Sequence, residues 1–301
     1  MSPIFIPVAV LAFACNSFAT RLFQTKFFDA QRRLPRFQMT FCLIATVCFF
    51  LSGGCALPTV ETSVYGLCFG ILFFLAVAMS AKGFALGSMA LTSVIINMSL
   101  ILPILYSIVF HHERPTLMHY IGFALFCGSV IVSACSARDG ETKRLNLAWL
   151  LVISIGFIAN GSTAILQKNY VLNSAAKQDA TFLSVAYLTA ALCFAVTAIV
   201  TAKKTAPAEP ISPLSGKERS LALLAFFGVA ALSGFGSFGG NLILGKLSAS
   251  VDAAILYPCI NGGLAVFTTL LSFFFFREKP TALKIISILL GAAAIVVLNL
   301  G

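Results

Sequence analysis

Five asparagines stand inside long apolar runs of this chain: Asn16, Asn97, Asn160, Asn241 and Asn261. No Asp, Glu, Lys, Arg or His is read at comparable depth in any run. Each asparagine offers a carbonyl acceptor and two amide donors. Turned toward one cavity, such groups would hold a polar small molecule without fixing its charge. The plainer role is bonding between helices, at about 0.6 kcal/mol per bond on average. A second signal lies in Tyr257-Pro258-Cys259-Ile260-Asn261-Gly262-Gly263. Proline lacks an amide donor and paired glycines allow unusual dihedrals, so this segment is expected to open its helix beside Tyr257 and Asn261. Pro103 is expected to kink an earlier helix near the matching level. The candidate substrate-binding set is therefore Asn16, Asn97, Asn160, Tyr257 and Asn261, with Asn241 at its edge.

Other reactive side chains point to little chemistry. Every acidic residue, Glu113 and Asp252 among them, is read in or beside a connection, so no carboxylate pair or activated nucleophile is defensible and no enzyme is expected. Without a buried carboxylate, the chain is expected to work by facilitated movement or exchange, or through a mouth residue such as Asp252. Lys82 and Lys246 stand at the ends of two runs, where they either attract anions at the mouths or snorkel to the interface. His111, His112, Glu113 and His119 lack the spacing that puts two ligands on one helical face. They are read as an ordinary solvated turn, with no metal and no cofactor. The run from Gly234 to Gly240 has small-xxx-small spacing for close helix contact. No strand precedes it, so it is not read as a nucleotide loop. The nine cysteines lie mostly inside apolar runs and read as small buried residues.

The elements that would carry these residues follow from composition. Of 301 residues, 59% are hydrophobic and only 10% charged, against roughly 25% charged in a soluble domain. Such a chain has little surface for water and belongs in a bilayer. The net charge of +10 comes from basic residues in short breaks between apolar runs, with no aromatic-interleaved stripe, so nucleic-acid binding is not expected. The first twenty residues lack a basic n-region and are read as a retained first helix. A spanning helix needs roughly 20 mostly apolar residues. Runs of that kind fall at 3–22, 37–55, 62–81, 86–110, 116–136, 146–167, 180–201, 220–241, 252–276 and 281–300. The reading is an all-α integral membrane protein of ten helices, with one notable loop at 203–219.

An internal repeat divides these ten runs. At one constant offset Lys82 matches Lys246, Ala85 matches Ala249, Ala90 matches Ala254 and Asn97 matches Asn261. After a one-residue slip Glu113-Arg114-Pro115-Thr116 matches Glu278-Lys279-Pro280-Thr281. More weakly, Phe13-Ala14-Cys15-Asn16 agrees with Phe157-Ile158-Ala159-Asn160. The expected halves are 1–140 and 141–301, each with five crossings. An odd number makes the second half enter from the opposite side, an inverted repeat of the kind secondary transporters use. Ten helices, a five-plus-five repeat and a Glu-x-Pro-Thr turn after helices 4 and 9 resemble the drug/metabolite transporter superfamily, EamA type. The resemblance covers essentially the whole chain. It implies a carrier of small metabolites or drugs, as monomer or homodimer, whose path is lined by helices 1, 3, 4, 6, 8 and 9. Small multidrug members carry a Glu in the first helix, where this chain has Asn16. The competing class is a non-transporting membrane assembly partner or receptor, whose mark would be an extramembrane domain or long tail.

Charge placement sets an expected orientation. Connections that follow odd-numbered helices hold 16 of the 20 Lys and Arg residues, and those that follow even-numbered ones hold Arg114, Lys168, Lys177 and Lys246. Short cytoplasmic loops are enriched in Lys and Arg. The odd connections are thus expected in the cytoplasm and both termini outside, across a bacterial cytoplasmic (inner) membrane. The resemblance implies the reverse, with both termini cytoplasmic.

Overall fold

The computed structural model describes residues 3–27, 30–86, 89–136, 147–204, 216–276, 282–298 and 300. Those residues are mostly helical, with no strand among them: α1 (Ile6–Lys26), α2 (Ala30–Ser52), α3 (Val60–Leu86), α4 (Met89–Met98), α5 (Ile101–Phe110), α6 (Leu117–Ser136), α7 (Leu147–Asn173), α8 (Asp179–Lys204), α9 (Gly216–Ser248), α10 (Ala253–Phe276) and α11 (Ala282–Leu298). Apolar chain in a bilayer must satisfy its backbone internally, which leaves the helix as the local solution. Among the described residues six helices are long and apolar enough to cross a membrane: Ile6–Lys26, Arg33–Ser52, Val60–Leu86, Leu147–Asn173, Asp179–Ala202 and Ser220–Ser248. Shorter apolar helical stretches are Val94–Phe110, Leu117–Val132, Ala253–Thr268 and Ile285–Leu298. By length and composition these helices are compatible with an all-α integral membrane protein.

The chain divides into two compact units that each draw on both halves of the sequence. One comprises Met1–Leu11, Leu72–Lys177 and Leu242–Gly301; the other comprises Ala12–Ile71 and Gln178–Asn241. In the second of these, α2 lies along α8, and small residues let helices approach backbone to backbone. A Cβ placed on Gly70 would lie 2.4 Å from the Ala186 carbonyl oxygen, and one on Gly236 would lie 2.6 Å from that of Ala12. Phe23, Phe37 and Phe226 form an aromatic cluster in the same unit, with Phe23 stacked on Phe37 at 4.3 Å. In the first unit α6 lies along α11 and α10 packs on α11. Ser129 and Ser287 lock α6 to α11, each hydroxyl donating to the other's carbonyl, at 2.8 and 3.1 Å.

Three elements depart from the expectations above, each for a local reason. The run 86–110 is not one regular helix: α-helical bonding lapses at Ser99 and Leu100, where Leu100 keeps helical dihedrals (φ −62°, ψ −18°), and resumes at Ile101. Pro103 has no amide to offer the Ser99 carbonyl four residues back, so that oxygen takes the Leu102 amide instead, at 3.1 Å. The expected opening at Tyr257–Gly263 is absent, and α10 runs unbroken through Pro258. The helix discontinuity therefore lies in the other half of the sequence. Finally, α7 continues to Asn173, well past the apolar run, because no glycine or proline interrupts Gln167-Lys168-Asn169-Tyr170.

Candidate functional site

In the unit that holds the helix break, the break and α7 meet through polar atoms. Ser99 is fully buried, and its hydroxyl donates to the Ile96 carbonyl at 2.6 Å. That spends its one proton, so Ser99 Oγ accepts from Nδ2 of Asn160, also at 2.6 Å. Gly161 makes the approach possible, since a Cβ there would meet the Ser99 carbonyl oxygen at 2.7 Å. Asn97 is half-buried on α4, two residues before Ser99. On α10, buried Tyr257 donates its hydroxyl proton to the Ala164 carbonyl of α7 at 3.2 Å. Asn261 is half-buried one turn further along and donates through Nδ2 to the Tyr257 carbonyl at 3.0 Å. Four expected residues, Asn97, Asn160, Tyr257 and Asn261, thus belong to one unit.

The same unit contains charge that the sequence reading assigned to connections. Lys168 and Glu113 form an ion pair, with side chains 4% and 10% exposed. The second carboxylate oxygen, Oε2, accepts the amide proton of Ala253, the first residue of α10, at 2.9 Å. A carboxylate at that position meets both an orphan donor and the positive end of the helix dipole. Beside the pair, Asn169 donates to the Tyr106 hydroxyl at 2.7 Å and faces Nε2 of His111 at 3.0 Å. The solvated turn at His111, His112, Glu113 and His119 is corrected accordingly. His112 and Arg114 are exposed, but His112 adopts φ 55°, which ends α5 and turns the chain back on itself. Glu113 then reaches inward, its own amide donating to the Ser107 carbonyl at 3.3 Å. His119 is 5% exposed, not solvated. Its Nδ1 accepts the Thr116 amide at 3.0 Å and closes the first turn of α6.

The remaining candidates lie elsewhere. Asn16 and Asn241 belong to the other unit. Asn16 Oδ1 accepts from the Ser233 hydroxyl of α9 at 2.5 Å. Asn241 donates through Nδ2 to the Tyr187 hydroxyl and to the Ser237 carbonyl, each at 2.9 Å, while Tyr187 and Ser237 share a 2.6 Å hydroxyl contact. This network joins α8 to α9 and is buried. Removing its central hydroxyl, Tyr187→Phe, is expected to lower stability by about 1–3 kcal/mol, because buried Asn241 and Ser237 lose a partner. Thermal unfolding in detergent measures it, and an unchanged Tm would show the network contributes nothing. Lys82, Lys246 and Asp252 are exposed. Asp252 stands just before α10, its carbonyl accepting the Ile255 and Leu256 amides at 3.1 and 2.9 Å.

The repeat-related asparagines do not make equivalent bonds. Asn160 uses its amide on the helix break, and Asn16 uses its carbonyl on a neighbouring helix. The functional candidates that sequence reasoning missed are Glu113, Lys168 and Asn169. One signal was present: uninterrupted helix formers after position 167 carry Lys168 and Asn169 inside α7. The partner Glu113 lies 55 residues away in sequence, and no local pattern announces it.

No family model and no curated protein matches the chain. Among solved structures, 28 chains match. One, described as "Crystal structure of protein", superposes with a TM-score of 0.70 at 15% sequence identity, over 99% of this chain and 97% of its own. At that identity the likeness is one of fold alone.

Proposed function

We propose that this protein is a carrier that moves a small polar or amphipathic molecule across a membrane by alternating access. In this reading ten crossings form two inverted five-helix repeats of EamA type. The observation that supports it best is the interrupted helix at Ser99–Leu100, held by Asn160 from midway along α7. The regular α-helical bonding lapses there inside an apolar run, with the Ser99 carbonyl taking the Leu102 amide, and transporters place their sites at such irregular turns. Glu113 and Lys168 revise the coupling reading, because one largely buried carboxylate is present after all, though paired. The test is a thermal-shift screen of the purified protein against amino acids, nucleosides, sugars and amphipathic cations, with flux into liposomes. One class is expected to raise Tm and to be transported. Stabilisation by none of them, with no flux, would leave the assembly-partner or receptor reading in its place.

The orientation belongs to the same proposal. Lys168 lies inside α7 and is neutralised by Glu113, so it leaves the set of free basic residues on the even side. Arg114, Lys177 and Lys246 remain there, and the bias toward the odd connections deepens. Both termini are then outside. A cysteine at position 2 is expected to react with an impermeant reagent on intact cells, and one in the 203–219 loop is not, in a background cleared of native cysteines. The opposite labelling would establish the family orientation.

A further inference from the structure

The orientation of two asparagine side chains bears on what the site accepts. Ser99 has already given its proton to Ile96, so Asn160 must present its amide to Ser99. Asn261 must likewise turn its amide toward the Tyr257 carbonyl, which only accepts. Both side chains are left with Oδ1 outward. Among the described residues neither oxygen has a partner. The fully buried side-chain atoms without one are Ser107 Oγ and His119 Nε2, so the two asparagine oxygens, on half-buried residues, face accessible space.

The helix register also puts the two asparagines at one level. Glu113 bridges Ala253 to Lys168, and Tyr257 bonds Ala164. One turn forward on α10 is thus one turn back on α7, an antiparallel register. A further turn, about 6 Å of rise on each helix, brings Asn261 to the level of Asn160 and the helix break. The nearest formal charges on this ladder, Glu113 and Lys168, lie two turns away and are satisfied by each other.

We propose that Asn160 and Asn261 form an acceptor-only subsite for a primary ammonium group. An ammonium carries three donors and no acceptor, and carbonyl dipoles favour its charge. A hydroxyl brings an acceptor as well as a donor, and the committed amides have nothing to give it. A carboxylate meets only repulsion. This subsite rests on the carrier reading above, and it names the substrate class as small primary amines. Ser99 acts as a positioning residue: its hydroxyl keeps the Asn160 amide from turning over.

The experiment is equilibrium binding to the purified full chain in detergent, with phenethylamine, 2-phenylethanol and 3-phenylpropionate as matched probes. Phenethylamine is expected to bind at least tenfold more tightly than the alcohol, and the carboxylate not at all. Asn160→Leu and Asn261→Leu should each weaken the amine about tenfold, the scale of one hydrogen bond to a charged group, and leave the alcohol nearly unchanged. Ser99→Ala should erode the preference for amine over alcohol, since the freed amide can present either end. That loss of selectivity separates positioning from a merely structural role, and the unliganded Tm of each variant checks folding. Equal binding of amine and alcohol, or amine binding indifferent to both leucine variants, overturns the subsite. Amine binding in the expected pattern without liposome flux supports the subsite and defeats the carrier. Flux of another class with no amine binding does the reverse.

Discussion

Lys168→Met is expected to destabilise the protein by about 3–5 kcal/mol, among the largest effects available to one substitution in this chain. The reason is what it leaves behind. Glu113 is 10% exposed, and without Lys168 its charge keeps only the Ala253 amide and the helix dipole as compensation. Breaking a buried pair from one side strands a charge, which costs far more than the pair contributes when intact. Glu113→Gln in the Lys168→Met background removes the stranded charge and keeps an acceptor for the Ala253 amide. The double variant is therefore expected to recover most of the loss. Reversing the pair, Glu113→Lys with Lys168→Glu, is not expected to rescue, because a cation would then face the positive end of α10. Chemical denaturation in detergent reads all four proteins. A reversed pair as stable as the original would mean that Glu113 does not act on the α10 terminus.

Gly236 is the second such position. A Cβ there would lie 2.6 Å from the Ala12 carbonyl oxygen and 2.7 Å from the Asn16 amide nitrogen. Both obstacles are backbone, so no rotamer change relieves them, and α1 and α9 must separate. Separation also lengthens the contact between Asn16 and Ser233, which rests on the same approach. Gly236→Ala is expected to cost about 1–3 kcal/mol, the usual scale of overpacking, and Gly236→Leu to prevent accumulation of folded protein. Gly128 and Gly228 supply the control, because a Cβ on either meets nothing within 4 Å. Alanine at those two positions is expected to be neutral or to stabilise by about 0.5–1 kcal/mol, since glycine is a poor helix former. If Gly236→Ala behaved like Gly128→Ala, the close approach of α1 and α9 would be wrong.

Much of the architecture was legible in the sequence because its cause is local. An apolar run with few charges has one way to satisfy its backbone in a bilayer, and that is a helix. The all-helical class and the membrane-compatible runs needed only residue types in order. Pro103 and Pro258 show where local reasoning stops. Both remove an amide from an apolar run, yet α10 continues through Pro258 while the chain breaks just before Pro103. What the chain does at a proline depends on what packs beside it as well as on the freed groups, and packing is tertiary. At the first break the freed Ser99 carbonyl takes the nearby Leu102 amide, and the fold adds Asn160, 61 residues away, on the Ser99 hydroxyl.

Glu113 and Lys168 make the same point about charge. The sequence placed polar residues between apolar runs, where solvent is the ordinary partner. Only the fold brought a lysine from the continued end of α7 to a glutamate turned inward after α5, and set that glutamate on the first amide of α10. The asparagines are intermediate. Their type and depth were visible along the chain, so their capacity to bind was readable. Which end of each amide remains open was not, because that is decided by Ser99, Ser233 and Tyr257. A side chain's chemistry belongs to its sequence. The part of that chemistry left over for a ligand is what tertiary contacts have not already used.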